Sequence, residues 1–253
     1  MNDFEAQVVP AAPEGPALTQ GQRVIYTFTA PSKTFNDIKR STSWWMPFLI
    51  GAIATYILFF AVQAKVGWEQ VAENQIRMSP KRAEQMDKLP ADQRATQMKI
   101  STVFTEVIFA VFPIFSLIGT AIIAGVLLAT INFGFGGKAT FWEVFSVTWY
   151  AHLPGVIKVL LGVIALFAGL APESFNSQNF AGTNPGYFMS PDTSKPLLAL
   201  ATSLDVITIW TLVLSAIGLS IVAKTKRSSA YIAVFGWWVV IVLVGVGFAA
   251  AFS

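Results

Sequence analysis

The sequence predicts an all-α polytopic membrane bundle of five transmembrane helices. Three observations carry that reading: 54% of the 253 residues are hydrophobic, only 12% are charged, and long apolar runs recur from residue 44 to residue 252. Soluble domains carry about 25% charged residues, and about 20 apolar residues suffice to cross about 30 Å of hydrocarbon. The mean hydropathy of +0.59 agrees.

Residues 1–27 read as a disordered cytoplasmic tail. The first 22 are acidic, bear Ala and Pro, and lack the basic-then-apolar layout of a secretory signal. Residues 28–253 form the membrane domain. Its first span covers 44–64, opened by the interfacial pair Trp44 and Trp45 and closed by Gln63 and Lys65. The second covers 100–132, which at about 1.5 Å per residue exceeds the hydrocarbon thickness, so it protrudes or bends at Pro113. The third covers 142–170 and is interrupted at His152, Leu153, Pro154 and Gly155. Because Pro removes a donor and clashes with the preceding turn, a break is expected there, with an interfacial stretch to Ala151 feeding the crossing proper. The fourth and fifth spans cover 197–222 and 231–252.

Between the first two spans, residues 67–99 turn charged and Gln-rich and read as an extramembrane helical segment, with Ser79-Pro80 and Leu89-Pro90 as successive helix starts. It is either a solvated hairpin or a docking surface for a partner. Residues 171–196, rich in Asn, Ser, Gly and Pro, read as an irregular loop with Phe175, Phe180, Tyr187 and Phe188 folded onto the membrane surface.

Lys and Arg in short loops set the orientation. Lys33, Lys39 and Arg40 precede the first span, and Lys224, Lys226 and Arg227 lie between the fourth and fifth. Four crossings separate the two groups, so they share a side, with the N-terminus cytoplasmic and the C-terminus outside. The 65–99 segment carries seven further bases interleaved with five acids. The net charge of +3 suits anionic lipid heads better than nucleic acid.

In lipid, small and polar residues mark the faces on which helices meet. Ala151, Gly155, Lys158, Gly162, Ala165 and Gly169 form one stripe of the third span. Thr102, Glu106, Phe109, Pro113, Ser116 and Thr120 form one in the second, and Ala201, Asp205, Thr208, Leu212 and Ser215 one in the fourth. Lys158 therefore lies on a close-packing face. An ionisable group in hydrocarbon costs at least about 2.5–3.5 kcal/mol, so each needs a partner or a wet cavity. Glu106 and Asp205 enter from the outer side, about 9 and 12 Å deep at helical rise. Lys158 is expected to pair with Asp205, with Glu106 as the second choice, and the pair serves either as structural glue or as part of an ion or proton path.

His152 is the only histidine, and cysteine is absent. Disulfides, thiolate catalysis, iron–sulfur clusters and Cys-ligated zinc are thereby excluded, and a single His argues against haem and zinc. A chlorophyll-type pigment could take one His, but nothing else points to it, so His152 is expected to be hydrogen-bonded at the helix break. No His-Glu-x-x-His, Gly-x-Ser-x-Gly or Gly-x-Gly-x-x-Gly motif occurs. Residues 134–138 read as a helix stop and turn, because Ala139 stands where a phosphate loop needs Ser or Thr. No catalytic, cofactor or metal-binding residue is assigned.

The stretch APSKTFNDIKRSTSWWMPFLI (30–50) offers a Pro, a Thr-Phe pair, a basic patch, then Trp and Pro at the membrane. The stretch GGKATFWEVFSVTWYAHLP (136–154) offers a Gly-Gly-Lys-x-Thr-Phe turn followed by a Tyr-Ala-x-x-Pro helix. With five crossings and almost no C-terminal tail, the chain over about residues 28–252 resembles the Yip1 domain family, in its bacterial branch. The resemblance implies a helical bundle without known catalytic activity. Eukaryotic relatives act in vesicle trafficking between endoplasmic reticulum and Golgi and associate with Rab GTPases. Their Asp-Leu-x-Gly-Pro signature is missing here, where residues 41–47 read STSWWMP.

The expectation is thus a non-enzymatic protein of a bacterial inner membrane, an accessory or organising subunit of a membrane complex. Its expected partners are the bilayer and other membrane proteins or further copies of itself, with no nucleic acid. The alternative is a small solute, ion or proton transporter using Glu106, Lys158 and Asp205.

Overall fold

Proline, glycine and capping side chains cut the apolar chain into helices in the computed structural model, which describes residues 16–190 and 192–251. No strand occurs among the described residues. Twelve α-helices follow one another: α1 Gln20–Thr29, α2 Pro31–Ile38, α3 Trp45–Lys65, α4 Trp68–Arg77, α5 Pro80–Asp87, α6 Ala91–Ala110, α7 Phe112–Ala129, α8 Phe141–Ala151, α9 Pro154–Phe167, α10 Lys195–Ser203, α11 Val206–Val222 and α12 Arg227–Ala251. Four stretches are long and apolar enough to cross a membrane: Trp45–Lys65, Phe112–Gly134, Phe141–Phe167 and Arg227–Ala251. The bent pair α10–α11 makes a fifth if counted as one span.

The tail ends earlier than the sequence predicts. Thr19 caps α1 with a capping box to Gln22, so 20–29 is helical, and the first 15 residues lie outside the described ones. The second apolar run, expected over 100–132, is divided at Val111 (φ −92°, ψ 3°), two residues before Pro113. Only its C-terminal part is a candidate span, and α6 lies N-terminal to it. The interruption in the third run is milder than expected, for α8 and α9 form one 27-residue candidate span, with Pro154 at the first turn of α9, where its missing donor does no harm. The sharp break falls instead in the fourth run, expected continuous over 197–222, where α10 and α11 meet at 50° around Asp205. The fifth run extends back to Arg227, and Phe252 lies outside the described residues.

In the bundle α3 packs on α9, α7 on α8, and α11 on α2, α8, α9 and α12. The core is richest around α8, where Val144, Phe145, Val147, Trp149 and Tyr150 are all buried. The connections sort into two groups by contact. In the first, Ser146 donates to the Thr42 carbonyl at 2.8 Å, Tyr150 to the Gln20 side chain at 2.8 Å, and the Lys138 N–H to the Ala223 carbonyl at 3.1 Å. That last bond explains the glycine pair. Gly136 has φ +67°, and a Cβ on Gly137 would lie 2.9 Å from Asn132 Oδ1 and 3.1 Å from Ala223 Cβ.

In the second group, Asn74 of α4 donates to the carbonyls of Pro172 (2.8 Å) and Phe175 (2.9 Å), and Arg77 to that of Glu173 (2.9 Å). The two segments expected outside the membrane, 67–99 and 171–196, are therefore tied to one another. Phe175, expected on the membrane surface, is 2% exposed among Leu58, Val62, Val71 and Leu166, and Phe180 packs on Gly162. Phe188 alone of the four is strongly exposed. Polar side chains hold this loop to protein, and its rings fill the gaps beneath it.

Candidate functional site

Asp205 occupies the break between α10 and α11. Asp is a favoured N-cap, and its Oδ1 accepts the N–H groups of Ile207 (2.9 Å) and Thr208 (3.0 Å), satisfying donors that a helix start leaves without partners. Oδ2 accepts Lys158 Nζ at 2.8 Å, the Thr183 hydroxyl, and Asn184 Nδ2 at 3.4 Å. Asn184 and Asn179 bond reciprocally, at 2.7 and 3.3 Å, and Asn184 Oδ1 also accepts the Tyr187 N–H at 3.0 Å. The carboxylate is thus fully engaged by protein groups, its side chain 3% exposed against 24% for Lys158.

The loop over this pair is fitted closely. A Cβ on Gly186 would meet Thr202 Oγ1 at 2.3 Å and its backbone nitrogen at 2.9 Å, and one on Gly162 would meet the Phe180 ring at 2.4 Å. Lys158 Nζ stands 6.0 Å from the centre of that same ring. Small residues on α9 and in the loop therefore let backbone and rings close over the ammonium group. The Val206 N–H, freed by the break, donates to the Thr183 carbonyl at 3.0 Å, so the unwound step is satisfied by the loop.

The other residues singled out from sequence lie apart. Glu106, half-buried on α6, forms neither a hydrogen bond nor an ion pair with any described residue. His152 is exposed at the α8–α9 junction, with Nδ1 2.6 Å from the Thr148 carbonyl one turn back. Among the described residues no group of three or more His, Asp or Glu side chains gathers to hold a metal.

A second buried ion pair escapes the sequence reading. Arg23 of α1 donates through Nε to Asp37 Oδ2 of α2 at 2.7 Å, and through its terminal nitrogens to the carbonyls of Ser41 (2.8 Å) and Asp37 (3.3 Å). Both side chains are under a tenth exposed. Thr34 closes the arrangement by donating to the Arg23 carbonyl at 2.8 Å. Beneath it Phe35, fully buried, presses on α11 where a Cβ on Gly218 would come 2.9 Å from its ring. The available signal was the Thr19-x-x-Gln22 capping box, which marks a helix start in the stretch read as tail.

A helical chain with four to five stretches able to span a membrane, stapled by polar networks at both ends, defines a polytopic membrane protein class. Within it, the chain belongs to the Yip1 family: the Yip1 domain matches residues 25–249. The match begins inside α1 and ends inside α12, covering the Lys158–Asp205 pair, Asp37 of the other pair and the Gly-Gly-Lys turn. No curated protein and no solved structure matches the chain.

Proposed function

We propose that this protein is a non-enzymatic accessory or organising component of a membrane assembly in a bacterial inner membrane, crossing the bilayer five times with its N-terminus in the cytoplasm. The observation that carries the proposal is the sealed state of Asp205. Two helical N–H groups, an ammonium, a hydroxyl and an amide take up its oxygens, and the 179–187 loop covers it. A transport path needs ionisable groups that water can reach. A packed, hydrogen-bonded pair is suited to holding helices in register.

Lys33, Lys39, Arg40, Lys138, Lys224, Lys226 and Arg227 belong to the first group of connections, which supports a cytoplasmic position for that end. The runner-up is a small solute, ion or proton transporter using Glu106, Lys158 and Asp205. It draws on the 50° break at Asp205, since transporters commonly bind cargo at discontinuous helices.

Proteoliposomes separate the two. Purified protein reconstituted in tight vesicles is expected to give no proton or solute flux above protein-free vesicles, and native purification to recover a stoichiometric complex or a defined oligomer. Flux that disappears in Asp205→Asn, with the variant still folded, would replace the accessory role by the transporter.

A further inference from the structure

Helices α4, α5 and α6 enclose a groove of about 560 Å³, within the range of ligand pockets, which spans about 300–1,000 Å³. Its lining is mixed. Ile100 and Phe104 of α6, with Ile76, Met86 and Leu89, supply its apolar part, and Arg82 and Gln85 of α5 with Gln97 and Ser101 of α6 supply its polar part. Ile100 and Phe104 are 56% and 66% exposed, so no protein covers that side.

Two observations identify the occupant. The apolar wall is continuous with lipid-facing surface: Val103 and Val107 follow on α6, then Phe112, Phe115 and Ile118 on α7, all exposed. Yet residues 100–110 precede the Phe112–Gly134 candidate span, which at 23 residues and about 1.5 Å per residue already crosses about 30 Å of hydrocarbon. The apolar wall therefore adds to a span that is already long enough, which puts it at the membrane edge with α4 and α5. The charges select the head. Lys88 pairs with Glu84 at 2.6 Å and Arg94 with Asp87 at 3.2 Å, whereas no carboxylate among the described residues pairs with Arg82.

We infer that the α4–α6 groove is a phospholipid site, taking one acyl chain along Phe104 and Ile100 and an anionic headgroup at Arg82. The guanidinium suits a phosphate through bidentate donation, and the chain enters sideways from the bilayer.

The test uses the full-length protein in phosphatidylcholine nanodiscs with a small amount of phosphatidylglycerol carrying a diazirine in its tail. After irradiation, labelled peptides are mapped by mass spectrometry. Label is expected to concentrate on residues 97–107 above the comparably exposed α12 surface at 239–248. Unlabelled phosphatidylglycerol should compete about fivefold better than phosphatidylcholine, the factor one interfacial cation supplies. Arg82→Gln should remove that preference, and Ile100→Trp should remove label from the groove, both at exposed positions that leave the melting temperature unchanged. Label on 97–107 no denser than on α12, or unaffected by both variants, would reduce the groove to ordinary lipid contact and overturn the inference. So would a groove shielded in native membranes and labelled only after purification, since a protein segment would then occupy it.

Discussion

Asp205→Ala is expected to lower the stability of the purified protein by about 3–5 kcal/mol, the range found when one partner of a buried ion pair is deleted. The substitution acts three ways at once. Lys158 keeps its charge without a counter-ion, α11 loses the side chain that caps Ile207 and Thr208, and the 179–187 loop loses the acceptor for Thr183 and Asn184. The cap alone contributes about 0.5–2 kcal/mol in other helices. Thermal unfolding in detergent measures the total, and a cycle with Lys158→Met isolates the pair. The double variant should lose less than the sum of the single losses, because the second substitution removes the stranded charge. A loss under about 1 kcal/mol would mean the pair behaves like an exposed one, open to water.

Phe35→Ala is expected to cost about 3–5 kcal/mol, as for other aromatic side chains deleted from packed cores. Phe35 of α2 is wholly buried against α8 and α11, in contact distance of the Gly218 position, and with the equally buried Ile38 it anchors the α1–α2 hairpin to the bundle. With the ring gone, the Arg23–Asp37 pair still joins α1 to α2, but the hairpin loses the largest of its apolar anchors to the bundle and keeps Ile38 and the Phe28–Trp210 contact. Trypsin should then cut at Lys33, Lys39 and Arg40 much faster than in the parent protein, while cleavage within α3–α12 stays at the parent's rate. Unchanged cleavage would show that the hairpin is held mainly by Tyr150–Gln20 and Ser146–Thr42.

The spans are legible in the sequence because a membrane helix announces itself by length and uniform apolarity rather than by a periodic pattern. Lys158 and Asp205 are legible for a related reason: a charge inside such a run is costly enough to demand a partner, and here they stand 2.8 Å apart. The position of the sharpest bend is not. Ser203-Leu204-Asp205-Val206 contains neither Pro nor Gly, and the helix opens there because the loop supplies Thr183 to the freed N–H of Val206 and to the capping carboxylate. That depends on contacts between residues about 20 apart in sequence, which no local pattern encodes. Pro154 shows the reverse. A proline breaks a helix only where a donor is needed, and at the first turn of α9 none is. The α1–α2 hairpin stays hidden because Arg23 and Asp37 look like ordinary surface charges until α2 folds back across α11.

With the bent α10–α11 pair counted as one span, the proposed five crossings put the Gly-Gly-Lys turn and the α11–α12 turn on one face of the membrane and the 171–196 loop on the other. The chain has no cysteine, so single cysteines can be introduced without background. Lys226 and Gln178 are both exposed, one at each end of the bundle. Lys226→Cys and Gln178→Cys, treated in intact cells with a membrane-impermeant maleimide, are predicted to react from opposite sides, Gln178→Cys from outside and Lys226→Cys only after lysis. Reaction of both from the same side would contradict the five-crossing bundle.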